Sequence, residues 1–178
     1  MTFFKKPSRK NGDSAEDDGP TLDAADAKKR AAAAKRVAAS FGEIVTLLMR
    51  SRVHKHLTLT DLEWLVVPAL TTGQLAIADA QSKDTGHVTP AAAVLWALVS
   101  PEVDRRLFKQ GDQVQLKAKE WQSGDIPWIM MALGDRTITG NLLKRVTKTI
   151  FKGRSPKMRT RGPDGKIVVR QFDLPKAN

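Results

Sequence analysis

Between Pro90 and Pro101 the chain reads Ala91-Ala92-Ala93-Val94-Leu95-Trp96-Ala97-Leu98-Val99, an unbroken apolar run. Its length and its proline boundaries favour a buried strand over a helix. Such a strand needs cover on its faces, and the neighbouring segments have the patterns to supply it. Pro101 suits the first position of a helix reaching about Lys109. Leu59-Thr60-Asp61-Leu62 reads as a helix start with Thr60 or Asp61 as cap, running to about Leu70 and ended by Thr71-Thr72-Gly73. Residues 74–80, 114–121 and 128–133 read as further strands, and 81–90 as a loop. Residues 139–151 form a basic amphipathic helix with Leu142, Leu143, Val146 and Ile150 inward. Residues 157–160 and 166–172 flank Arg161-Gly162-Pro163-Asp164-Gly165, a strong hairpin turn. Strands interleaved with helices predict one α/β sandwich domain over residues 41–173.

The ends differ in kind. Residues 1–20 carry little to bury and are expected to be a disordered tail, as are 174–178. Residues 21–40, mainly Ala, Lys and Arg, predict a helical extension capped by Thr21 or Asp23. Phe41, Ile44, Val45, Leu47, Leu48 and Met49 then give the next helical segment an apolar face. Removing residues 1–20 is expected to change stability by less than about 1 kcal/mol, because a polar segment buries little apolar area. Thermal unfolding checks this, and a cooperative loss of structure on truncation would place the segment in the core.

Composition narrows the chemistry. With 178 residues and 41% hydrophobic content, the chain can bury one real core. It has no cysteine, which excludes disulfides, thiolate metal sites and an acyl-cysteine intermediate. It has no apolar run of spanning length and no apolar segment of signal-peptide length, so a cytoplasmic protein is expected. The net charge is +11. From Asn141 to Arg170 the acids are reduced to Asp164, against Lys144, Arg145, Lys148, Lys152, Arg154, Lys157, Arg159, Arg161, Lys166 and Arg170. A field so one-signed points to an anionic partner. Nucleic acid is disfavoured, since the chain has no Tyr and lacks the aromatic interleaving of a single-strand binder. His54 and His56 have no nearby carboxylate or thiol to complete a metal site, so no metal is expected. His87, in a Gly/Thr loop, reads as solvated.

Four blocks stand in a distinctive order: Arg50-Ser51-Arg52-Val53-His54-Lys55, Trp64-Leu65-Val66-Val67-Pro68-Ala69-Leu70, the Pro90–Ala97 run, and Trp121-Gln122-Ser123-Gly124-Asp125-Ile126-Pro127-Trp128. In this order and spacing the chain resembles the RTX toxin-activating lysine acyltransferases, also called the hemolysin-activating family. The resemblance implies the fold of GCN5-type N-acetyltransferases. It implies transfer of a fatty acyl group from acyl-acyl-carrier-protein to an internal lysine of a protein partner, with no bound cofactor. His54 matches the family's catalytic histidine and Ser51 a serine that supports activity, while Arg52 stands where the family has proline. Three residues beyond the second tryptophan the family has a catalytic aspartate; here that position is Met131, and a thioether can neither orient an imidazole nor take a proton. Asp125 and Asp135 are the nearest carboxylates in sequence, and Asp125 is taken as the third catalytic residue.

A lysine acceptor makes the base intelligible. The ammonium has a pKa of about 10.4, so at pH 7 the reactive amine is disfavoured by roughly 4–5 kcal/mol. A positioned histidine, with a pKa near about 6.5, can remove the proton. Trp96, Trp128 and Met131 are expected to wall an acyl pocket, although tryptophans at block centres are core residues first. Lys144, Arg145, Lys148, Arg159 and Arg161 are expected to dock the acidic carrier protein. The competing expectation, motivated by Met131, is a catalytically silent descendant that keeps the fold as a binding module. The sequence leaves the acceptor, the acyl length and the oligomeric state open, a homodimer included.

Overall fold

The computed structural model describes residues 24–109, 114–162 and 164–172. The expected tails, the Thr21/Asp23 cap and Pro163 of the hairpin lie outside the described residues. In chain order the elements are helices α1 (Ala24–Arg50), α2 (Leu59–Leu65) and α3 (Val67–Thr72), strands β1 (Leu75–Gln81) and β2 (Val88–Val99), helix α4 (Pro101–Phe108), a 3-10 turn (Ala118–Glu120), strand β3 (Ile126–Gly134), helix α5 (Arg136–Thr149) and strands β4 (Lys157–Arg161) and β5 (Ile167–Gln171). The strands form one mixed sheet in the order β1-β2-β3-β4-β5. All neighbours are antiparallel except β3 and β4, which are parallel and joined by α5.

The apolar run becomes β2, at the heart of the sheet, and its alternation divides the core. Ala93, Leu95, Ala97 and Val99 face a cluster closed by α1, α2, α3 and α4. Val94 and Trp96 face a second cluster with Ile129, Val146 and Phe151, on the side that α5 covers. Burial on both faces is why the run contains no polar residue. Pro90 lies inside β2 rather than before it, beside a register shift opposite Ala78 and Asp79. Proline is tolerated there because a bulge already interrupts the ladder. A second bulge, opposite Leu95 and Trp96, adds Met130 to β3. Met130 and Met131 therefore both pack toward the α1–α4 side.

Three local expectations need correction. Residues 114–121 are not a strand. Glu120 forms a bidentate ion pair with Arg106 of α4 (2.9 and 2.6 Å) and accepts the Lys117 amide at 2.8 Å, which winds the segment into the 3-10 turn. The cap of α2 is Thr58, not Thr60 or Asp61; Asp61 is the reciprocal partner three residues in, completing a capping box. Ile150 is 46% exposed, and Phe151, just past the end of α5, fills the core in its place. Helix α1 is a single helix of 27 residues whose buried side chains, Ile44, Leu47 and Leu48, all lie near its C-terminal end.

Candidate functional site

The chain leaves α1 at Arg50 and turns sharply. The Ser51 amide donates to the Leu48 carbonyl, the Lys55 amide to Ser51, and the Leu57 amide to His54, each at 3.0 Å. The turn brings Ser51 Oγ to 3.0 Å from His54 Nδ1, while Oγ also accepts the His54 amide at 3.2 Å. Two tautomers fit. When Nδ1 carries the proton and donates it to Oγ, Nε2 keeps its lone pair and faces away from Ser51, as a general base requires. The imidazole is half-buried, and burial pushes its pKa below the ordinary histidine value. At neutral pH the ring is therefore in its basic, uncharged form.

Two cavities of different character are lined by residues of this segment, Ser51 in one and Leu57 in the other, and His54 is on the wall of neither. Ser51 lines an open polar cleft of about 510 Å³, with Arg50, Arg52, Thr89, Pro90 and Asp135 among its walls. Leu57, three residues beyond His54, lines a second cavity of about 290 Å³. Leu65, Leu107, Trp128 and Ile129 are buried and give it an apolar floor; Gln115, Asp61 and Arg159 give it a polar rim. This second cavity opens where β3 and β4 part. They pair only at Trp128↔Lys157 and Ile129↔Met158 and share no further register.

The expected site residues divide accordingly. Ser51 and His54 are brought together. Trp128 lines the apolar cavity, but Trp96 does not. It points to the other face of the sheet and stacks edge-on against Phe151 at 5.8 Å, so Trp96 and Trp128 cannot wall one pocket. Met131 is 2% exposed within the core, and the bulged Met130 lines the cavity instead. Asp125 stands just before the start of β3, at the opposite end of the strand from Gly134 and Asp135. Its carboxylate lies 2.8 Å from Arg154, which also donates to its main-chain carbonyl. The structure does not bring Asp125 to His54; Asp135 is the carboxylate that shares a cleft with Ser51.

The expected basic surface is likewise two surfaces. Lys144, Arg145 and Lys148 are exposed on α5. Arg159 lines the apolar cavity on the other face of the sheet, and Arg161 donates to the Gly165 carbonyl within the hairpin at 2.7 Å. A further cluster escaped the sequence. Trp128 Nε1 donates to Asp104 Oδ1 at 2.7 Å, and Lys157 Nζ reaches the two Asp104 oxygens at 2.7 and 3.0 Å. The same ammonium lies 5.0 Å from the Phe108 ring centroid and 5.8 Å from that of Trp128. It fastens α4, β3 and β4 at the register where the two strands still touch. No motif marks it, because its members are 24 and 53 residues apart. Among the described residues no group of three or more His, Cys, Asp or Glu could hold a metal ion.

The sequence profile of the RTX toxin acyltransferase family matches residues 33–172. The chain belongs to that family. The matched span runs from within α1 to the end of β5, so it contains the Ser51–His54 turn and both cavities. No curated protein matches the chain. Membership of the RTX toxin acyltransferase family implies acyltransferase activity on RTX toxins, and it favours an enzyme over a silent binding module. No helix among the described residues is long and apolar enough to cross a membrane.

Proposed function

We propose that this RTX toxin acyltransferase moves a fatty acyl group from acyl-acyl-carrier-protein to an internal lysine of a toxin, at the Ser51–His54 turn. The observation that carries the proposal is the Ser51 Oγ–His54 Nδ1 contact, with Ser51 on the wall of a polar cleft and Leu57, three residues beyond His54, on the wall of an apolar cavity. Acyl transfer to an amine needs a dry place for the chain, a polar place for the acceptor, and a base between them. His54 Nε2 takes a proton as the lysine nitrogen attacks the thioester carbonyl. The N–C bond forms, the C–S bond breaks, and the imidazolium returns its proton to the departing thiolate; the second ammonium proton goes to solvent. Ser51 Oγ holds the ring through Nδ1.

The acyl chain would lie on Trp128, Leu107 and Met130, and the donor's arm would enter where β3 and β4 diverge. A parallel β3–α5–β4 unit that splays after two registers is also what supports a GCN5-type fold. Lys144, Arg145 and Lys148, exposed along α5, suit an acidic carrier protein. The Ala-rich turns of α1 before Ser40 are read as an extension beyond this machinery. A cytoplasmic location is part of the same proposal.

The test is an assay with purified protein, an acyl-carrier thioester and an RTX toxin fragment, read by the mass added to lysine. Transfer is expected, and carrier binding is expected to weaken as salt rises. Absence of lysine acylation with every carrier thioester tried would overturn the proposal.

A further inference from the structure

The polar cleft has a single carboxylate among its walls, and that carboxylate is held with unusual care. The Asp135 amide donates to the Ala91 carbonyl at 3.0 Å, which ties the end of β3 to the bulge of β2. The residue before it, Gly134, has φ 96°, and a Cβ there would collide with the Ala91 carbonyl oxygen. Only glycine lets the two backbones approach so closely. Asp135 Oδ1 then caps α5, accepting the amides of Thr137 at 2.8 Å and Ile138 at 3.0 Å. The cap uses one oxygen and leaves Oδ2 outside it. Arg50 and Arg52, both exposed, line the same cleft. A cleft with a fixed carboxylate and two guanidinium groups matches a segment that carries both signs of charge.

We propose that Asp135 receives the ammonium of the acceptor lysine, and that Arg50 and Arg52 select an acidic residue next to it. This deepens the acyl-transfer proposal and rests on it for the identity of the acceptor. Asp135 is then a positioning residue. It holds the lysine in the cleft that Ser51 lines, and His54 does the proton chemistry. A carboxylate beside an ammonium also makes the proton harder to remove. Its loss should therefore raise KM for the acceptor without lowering kcat.

The experiment reads binding directly, with no donor present. A fluorescent Gly/Ser/Ala peptide with one central Lys-Asp pair is titrated against the full-length protein. Its acetyl-lysine and Lys-Asn versions serve as comparators. Asp135→Asn is the variant of choice because Asn caps a helix as well as Asp, so α5 keeps its start. Acetylating the lysine should weaken binding about tenfold, Asp135→Asn should do the same, and the two together should cost no more than either alone. Arg52→Gln should erase the preference for Lys-Asp over Lys-Asn. An unchanged Kd in Asp135→Asn, or an equal loss for the free and acetylated peptides, would overturn the proposal. If peptide binding depends on Asp135 but no acyl group is ever transferred, the acyl-transfer proposal fails, while Asp135 stands as the lysine-binding residue of the cleft.

Discussion

Replacing His54 with alanine should lower acyl transfer by about 10²–10⁴-fold, the size expected for a lost general base, while the protein stays folded. The side chain is half-buried, and among the described residues it bonds only locally, to Ser51. The turn itself is held by backbone bonds that alanine retains, including the residue-54 amide to Ser51 Oγ. In the wild type, kcat/KM should rise steeply with pH up to an apparent pKa below 6.5, because burial lowers the imidazole pKa from that value, and less steeply above it, where only the acceptor ammonium still titrates. The matching stability contribution has a definite sign. The folded state prefers the neutral ring, so the contribution is complete above the unfolded pKa and is lost as pH falls through the lower folded one. Rates and thermal melts of both proteins across pH 5–8 check this. A variant that kept the wild-type rate on a carrier thioester would remove His54 from the chemistry.

The readable parts of the fold were those where local chemistry and long-range packing agree. The run between Pro90 and Pro101 announced β2, since a strand buried on both faces tolerates only apolar side chains. The Pro-Asp-Gly turn placed the hairpin of β4 and β5 because such turns specify their own backbone. Residues 114–121 misled for the opposite reason. Val114, Leu116 and Trp121 look like strand residues, yet the Arg106–Glu120 pair and the bonds from Leu98 to Trp121 and Gly124 fix the segment from outside. Nothing in its own sequence reports a partner on α4.

The site was legible where it is local and obscure where it depends on register. Ser51 and His54 are three residues apart, and one turn makes them touch. The proposed acyl pocket depends instead on which face each side chain takes, and two bulges decide that. Inserting Met130 into β3 keeps Met131 in the core and turns Met130 to the cavity, an exchange that cannot be seen from composition. Trp96 and Trp128 belong to different faces for the same kind of reason. Its place in the Trp121–Trp128 motif favoured Asp125 over Asp135, but a strand of nine residues lies between the two. The carboxylate beside the Ser51 cleft is the one at the far end.

Met131→Asp should destabilise the protein by about 3–5 kcal/mol at neutral pH, the cost of a buried and uncompensated charge. The resemblance expects an aspartate at this position, so the change looks like a repair. The packing argues otherwise. Met131 is 2% exposed, stands opposite Leu95, and belongs to the apolar core shared with Ile44, Leu47 and Leu133. A carboxylate there would have its pKa raised by burial. The folded state would then bind more protons than the unfolded one, so the deficit should shrink as pH falls toward the unfolded value of about 3.9. Met131→Leu, which conserves volume, should cost less than about 1.5 kcal/mol and separate charge from packing. Urea unfolding of the wild type and both variants at pH 7 and pH 5 reads the difference. A Met131→Asp protein as stable as the wild type and faster in transfer would mean that this position opens onto the reacting groups. In that event the core between α1 and β3 would be an active centre missing its acid. As the side chains stand, methionine closes that core, and the carboxylate that shares a cleft with Ser51 is Asp135.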